Sequence, residues 1–521
     1  MTDLNRRQFL RAAGSVASVA TLSACFGSTV PDSTAGFEAN GFVGPTDPRI
    51  AALEARRVRP GQRTVTARLD ARQVDLDLGG RIVPTWAFGE DVPGPLIRAT
   101  AGDLVTVEVS NTLPTGTSVH WHGIRLRNDM DGVPGLTQLP IAVGSTFTYS
   151  FTAPDPGTYW YHPHSGVQVD RALYGPMIVE DPAEPGDYDV EWIVVLDDWV
   201  DGTGRTPDDI LAQLRASGGD MAPMAGMNGG ASSGASSPAP PPPSPTGDAV
   251  IPGSMHSMNG ISMSGIIYPH YLINGRLPTA PVTLTGKPGQ RVRIRFVNAG
   301  SDTAFRVALG GHRLTVTHTD GFALTPTQAD ALIMGMGERW DVIVTLKDGV
   351  FPLMAIPEGK TGEAMALVRT GSGRAPDATV RPSELSRYVP FGLTLAPAPE
   401  AALPRRVANR IHKVVLEGRM DPYRWTINGR SHPDVEPFAV SQGDRVRLRI
   451  MNRSKMFHPW HIHGHTFALA ATGMRKDTVL LRPMQAMNIE FEADNPGLWM
   501  AHCHNLYHAE TGMMGTIAYQ R

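Results

Sequence analysis

The chain has 521 residues, a formal net charge of −3 and 19% charged residues, with Gly and Pro at 55 and 44. That length suits about three domains, the glycines and prolines suit a β-rich chain with many turns, and no basic stripe or acidic tail points to nucleic acid. Two cysteines, Cys25 and Cys503, exclude a disulfide framework.

Asn5-Arg6-Arg7-Gln8-Phe9-Leu10 resembles a twin-arginine export signal. The apolar stretch Ala12 to Leu22 is too short, and too rich in Gly and Ser, to span a membrane. Leu22-Ser23-Ala24-Cys25 resembles a bacterial lipobox, in which Cys25 is lipid-modified and becomes the new N-terminus; the alternative is simple cleavage near Ala24. Residues 1–25 thus read as signal and lipobox, and 26–63 as a linker. The expected location is periplasmic or cell-surface, with a lipid anchor in the membrane. The twin-arginine route carries folded proteins, which suits metal sites that form only in the folded state.

An internal repeat follows. Gly102-Asp103-Leu104-Val105-Thr106-Val107-Glu108-Val109-Ser110-Asn111 recurs at Gly289–Asn298 and at Gly443–Asn452. Each copy alternates polar and apolar residues after a turn glycine, the pattern of a half-buried strand. Three matched copies predict three related β-sandwich domains, over about 64–182, 190–370 and 385–521.

The repeat aligns the histidines. Nine residues after Asn111 stands His120-Trp121-His122, and nine after Asn452 stands His461-Ile462-His463. The middle copy has Val307-Ala308-Leu309 there and reads as a spacer. Later strands carry His162-Pro163-His164 and His502-Cys503-His504. On a strand, residues i and i+2 face one side, so four His-x-His pairs meeting between the first and third domains offer eight imidazoles, enough for a three-metal cluster. Cys503 faces away from its flanking histidines. With His458 and His508 it forms a two-imidazole, one-thiolate set, and Met513 follows at a spacing suited to a long axial contact. That combination describes a blue-copper electron-transfer site, whereas structural zinc usually takes more thiolates at shorter spacings. An electron arriving at Cys503 has only a few bonds to cross to His502 or His504.

These motifs resemble those of three-domain multicopper oxidases, which include laccases, cuprous oxidases and bilirubin oxidases. The resemblance implies an all-β fold of three cupredoxin-like Greek-key sandwiches and four copper ions. It places type-1 copper on His458, Cys503, His508 and Met513, and type-2 copper on His120 and His461. One type-3 copper falls to His122, His162 and His504, the other to His164, His463 and His502. Dioxygen would be the electron acceptor. Asp131 stands where the family has a proton-donating acid near the cluster, so Asp131, Cys503 and His508 are the catalytic candidates; a turn role in Asp131-Gly132 is the alternative.

Residues 221–263 interrupt the second domain. They mix Gly, Ser and Pro with Met221, Met224, Met227, Met255, Met258 and Met263. Thioethers are soft ligands that select copper(I), so copper(I) capture is the expectation and an incidental linker the alternative. Met456 resembles a methionine of the copper(I) site in cuprous oxidases. In that site's usual acid positions this chain has Ser454 and Ala509, with Glu510 one residue later. Copper(I), and with it iron(II), competes with a phenolic donor as substrate. A copper-sequestering lipoprotein is the reading from another class, although storage needs no trinuclear cluster. A monomer is expected.

Overall fold

The computed structural model describes residues 32–184, 186–216, 257–258, 261–262, 265–390 and 394–521. Cys25 and residues 217–256 lie outside them.

Three pairs of sheets follow one another along the chain. The first pair has strand order Ile82–Phe88, Thr64–Asp77, Leu104–Asn111, Thr146–Thr152, facing Ile97–Thr100, Gly175–Glu180, Gly157–His162, His120–His122. Corresponding six- and five-stranded pairs occupy Val190 to Arg369 and Arg410 to Tyr519. The repeated segment is a central strand each time. It runs parallel to the opening strand of its unit and antiparallel to a later one. In Leu104–Asn111 the alternation turns Val105, Val107 and Val109 into the core, as period-2 patterning requires.

The asparagine that ends each copy explains why the histidines keep their distance from the repeat. Asn111, Asn298 and Asn452 are fully buried. Each amide nitrogen donates to two backbone carbonyls: Thr115 and Ile141, Thr303 and Met334, Met456 and Arg482. Each amide oxygen accepts the backbone N–H two residues on, at Leu113, Gly300 and Ser454. This clamp fixes the loop between the repeated strand and the strand that crosses to the second sheet, where two of the three units carry histidine.

The first and third units meet directly. Asn128 acts as a piece of strand, donating to the Leu498 carbonyl at 2.6 Å and accepting its N–H at 3.2 Å. Gly497 has no Cβ because Asn128 fills that space. The middle unit is wedged against both, and its Arg339 donates to the Thr158 carbonyl at 2.9 Å and to Asp477.

Replacing the clamp in the unit without histidine pairs, Asn298→Ala, strands two carbonyls and one N–H. A cost of about 1–3 kcal/mol for each buried group left unpartnered should lower the urea midpoint of unfolding clearly below wild type. An unchanged midpoint would show that water replaces the amide.

Candidate metal centre

Register brings the histidines together. His120 pairs with His162 across the first unit's sheet, and His461 with His502 across the third's. The two sheets then abut, so that His120 stacks on His463 with ring centroids 3.7 Å apart and His122 on His461 at 3.9 Å. His164, His463 and His502 have ring nitrogens mutually within 4.8 Å, as do His120, His122 and His162. His504 joins the same cluster, 4.9 Å from His122 and 5.4 Å from His162 by ring centroid.

Most of these rings are held by one nitrogen and free at the other. The Nδ1 atoms of His120, His162, His461 and His502 meet the carbonyls of Asp131, Pro163, Asp477 and Cys503 at 2.8–2.9 Å. His463 Nδ1 meets Asp131 Oδ2 at 2.9 Å. His122 is turned round, with Nε2 3.0 Å from Thr478 Oγ1 and 3.3 Å from Asp477 Oδ1. The opposite atoms, His120, His162, His461 and His504 Nε2 and His122 Nδ1, are buried without a partner. His463 Nε2 and His502 Nε2 stand 3.1 Å apart. With both Nδ1 atoms donating outward, those two lone pairs face each other, and only a cation or a proton between them relieves the repulsion.

A proton is the poorer answer. Burial first, then the neighbouring imidazoles, hold His122, His162, His164, His463, His502 and His504 well below the ordinary imidazole range. The rings are therefore neutral donors. An all-imidazole set with outward N–H groups fixed by carbonyl or carboxylate suits copper, so the residues present fit a copper cluster.

A second donor set lies on the other face of the same strand. His458 Nδ1, Cys503 Sγ and His508 Nδ1 are separated by 3.4, 3.7 and 3.1 Å. Metal–nitrogen and metal–sulfur bonds of about 2.0–2.3 Å place trigonal donors at about this spacing. Burial lowers His458 to about 3 and pushes the Cys503 thiol up, so a thiolate there needs a cation beside it. The five-residue helix Leu506–Glu510 carries His508, and the Asn505 side chain caps it by accepting the His508 N–H. Met513 is buried, its N–H donating to the His508 carbonyl and its carbonyl accepting from Cys503. The Trp425 ring lies 3.9 Å from His508.

Asp131 is fully buried at the end of the Asn128–Met130 turn. Its Oδ1 is also 3.2 Å from His120 Nδ1, so the carboxylate braces one ring from each unit. Burial raises it, against the pull of His120. Asp477, which the motifs did not single out, does the same for His122 and His461 from the opposite side. Burial would raise Asp477, but the Arg339 charge and hydrogen bonds hold it well below the carboxylate range. Ser454, seen in the sequence only as a departure, puts its hydroxyl 2.7 Å from His458 Nε2. Met456 is 4% exposed and packs in the main apolar core. Met221, Met224, Met227, Met255 and Met263 fall outside the described residues. Of Met258 only the backbone is described, paired with Ile261.

Residues 71–184, 248–373 and 406–521 each match the sequence profile of multicopper oxidases. The chain is 45% identical over 520 residues to multicopper oxidase MmcO of Mycobacterium tuberculosis, covering 99% of this chain and 96% of that protein. It is 27% identical to copper resistance protein A of Escherichia coli, covering 87% and 93%. A laccase crystal structure from Botrytis aclada superposes with TM-score 0.70 at 25% identity, covering 89% of each chain. Two all-β donor sets sharing one strand, in a chain this similar to known oxidases, leave one class. The chain belongs to the multicopper oxidase family and is an oxidoreductase with copper cofactors and cupredoxin-like sandwiches.

Cys503→Ser should remove the intense visible absorption of a copper–thiolate pair while circular dichroism keeps its β signature, because the ligand strands are already paired. A mutant that stays blue would displace Cys503 from the assigned set.

Proposed function

We propose that the enzyme holds four coppers and couples one-electron oxidation of copper(I) to reduction of dioxygen to water. His458, Cys503, His508 and Met513 hold type-1 copper, and His120 and His461 type-2. His122, His162 and His504 hold one type-3 ion, and His164, His463 and His502 the other. Bound copper supplies the one-electron steps and the four electrons that, with four protons, convert dioxygen to two waters. Cys503 supplies the route: its thiol belongs to one donor set, while its chain neighbours His502 and His504 belong to the other. A cavity of about 30 Å³ bordered by His162, His164, His502 and His504 has room for water or dioxygen. Asp131 would hold the proton that reduced oxygen needs, against the His120 and His463 rings.

The observation that carries the copper(I) reading is where the methionine-rich insert leaves and returns. The helix Pro207–Ala216 precedes it and packs on the Tyr423–Ile427 strand. Its Arg215 donates to the Glu510 carbonyl at 3.1 Å. On return, Ile266 N–H donates to Asp302 Oδ2 at 2.6 Å, and the other Asp302 oxygen accepts from the Asn505 amide. Tyr268 donates to Asp170 at 3.0 Å, an oxygen it shares with Tyr507. Both ends of the insert are thus fastened to the short helix that carries His508. Thioethers tethered there can collect a soft cation beside the electron-accepting site. A phenol-oxidising laccase is the second reading, favoured by the likeness to laccase structures.

Deleting residues 221–263 should leave all copper sites intact, since loop closure costs little, and should raise the KM for copper(I) more than it changes kcat, the mark of lost substrate binding. Untouched copper(I) kinetics with worsened phenol oxidation would favour the laccase reading. Asp131→Ala should slow reoxidation by dioxygen by roughly 10²–10⁴-fold while leaving type-1 reduction nearly unchanged in stopped flow. Equal slowing of both half-reactions makes Asp131 a brace only. We also assign Cys25 as a lipid attachment site: Cys25→Ala should move the protein out of the membrane fraction, and unchanged fractionation would point to cleavage without lipid.

A further inference from the structure

Among the described residues the middle unit supplies no histidine to the cluster, yet two of its residues reach it. Gly337 lies against the ligand rings: a Cβ there would stand 2.9 Å from His122 Cε1 and 3.0 Å from His504 Cδ2. Two residues on, Arg339 is fully buried at the junction of all three units. Its guanidinium takes both oxygens of Asp477, Nη1 to Oδ1 at 2.6 Å and Nη2 to Oδ2 at 2.5 Å. Its Nε donates to the Thr158 carbonyl of the strand that ends in His162. Its own N–H donates to Asp320 Oδ1, and the other oxygen of Asp320 accepts the N–H groups of Asp477 and Thr478. Lys476 closes the network on Asp320 and Glu338, at 3.2 Å each.

The gripped carboxylate faces metal-ligand rings. Asp477 Oδ1 is 3.3 Å from His122 Nε2 and 3.5 Å from His461 Nδ1. It also accepts from Thr478 Oγ1, which lies 3.0 Å from both of those nitrogens. His122 comes from the first unit and His461 from the third. A carboxylate held at both oxygens cannot rotate away, so the two rings share one fixed reference point.

We propose that Arg339 is a positioning residue for the histidine cluster, setting the angle of the His122 and His461 rings through Asp477 and Thr478. The inference rests on the assignment of those histidines to the trinuclear site. It makes the middle unit part of the metal-binding apparatus rather than a spacer. Lysine cannot do the same work, because a point cation lacks the planar fork that spans two carboxylate oxygens while Nε reaches a third acceptor.

The test is Arg339→Lys, which keeps the buried charge. Copper is titrated into the full chain against a competing chelator. The type-2 electron paramagnetic resonance signal reports on the cluster, and the thiolate–copper colour at Cys503 serves as an internal control. The expected result is a roughly 10–100-fold weaker copper affinity at the cluster, the usual effect of losing an outer partner of a metal ligand, with a changed type-2 signal and an unchanged blue band. Cluster affinity and type-2 signal like those of wild type, in a folded variant, overturn the proposal. So does an equal weakening of the blue site, which marks a general brace. Should the lysine variant not fold, Arg339→Met combined with Asp477→Asn removes the two opposite charges together, which leaves no unpaired buried ion. The pair should reproduce the selective loss at the cluster; wild-type affinity in the pair, or failure of both variants to fold, also overturns the proposal. If wild type itself takes up no copper at the histidines, the ligand assignment has failed, and that outcome is read before any variant is made.

Discussion

Neutral imidazoles brought nose to nose inside a protein repel one another, and the architecture is organised around holding them there. The 3.1 Å approach of His463 Nε2 to His502 Nε2 is tolerable only when something positive lies between them. Every ring in the cluster that points inward must first be stopped from turning outward, where a hydrogen bond would be easier to make. Backbone carbonyls do this for His120, His162, His461 and His502, and buried carboxylates do it for His463 and His122. The asparagine clamps, the interface amide of Asn128 and the Arg339 network all keep those outer acceptors where they are. A site built this way stores the cost of unpartnered nitrogens until a metal offsets it.

The same strand serves two unlike environments because its side chains alternate. His502 looks into the junction between units, and Cys503 looks into the third unit's own core, beside Trp460 across the ladder. The thiol sits beside the two imidazoles of His458 and His508, and His502 sits among the other cluster imidazoles. Softness of the ligand thus changes within a single residue step, without any change of scaffold.

Much of this was legible in the sequence, and what was not has a common cause. The repeat strands, the alternation and the His-x-His pairs are local patterns, so they survive being read in one dimension. The family resemblance puts Asp131 near the cluster, but not which ring it serves: its carboxylate meets His463, 332 residues away. Asp477 and Arg339 are 138 residues apart and belong to no repeat; as isolated charges next to strands they look like any solvated pair. Ser454 stood out only as a missing acid, although its hydroxyl closes the hydrogen bond that His458 needs. The middle copy of the repeat reads as a spacer because it lacks histidine, and its contribution lies in Gly337–Arg339, whose counterpart Gly144–Thr146 in the first unit carries no charge that would mark the position.

The order of ligands along the chain has a consequence for biosynthesis. The first four imidazoles of the cluster are in place by residue 164, but their partners come at His461 and after, and the thiol and last two cluster rings only at 502–504. Neither donor set can close while the ribosome is still working on the third unit. A chain that stops early presents half a cluster and no thiol. For a chain whose first residues read as a twin-arginine export signal, metal uptake becomes a proof of length: the ions of the histidine cluster can be retained only by a product made through His504 whose third unit has packed against the first.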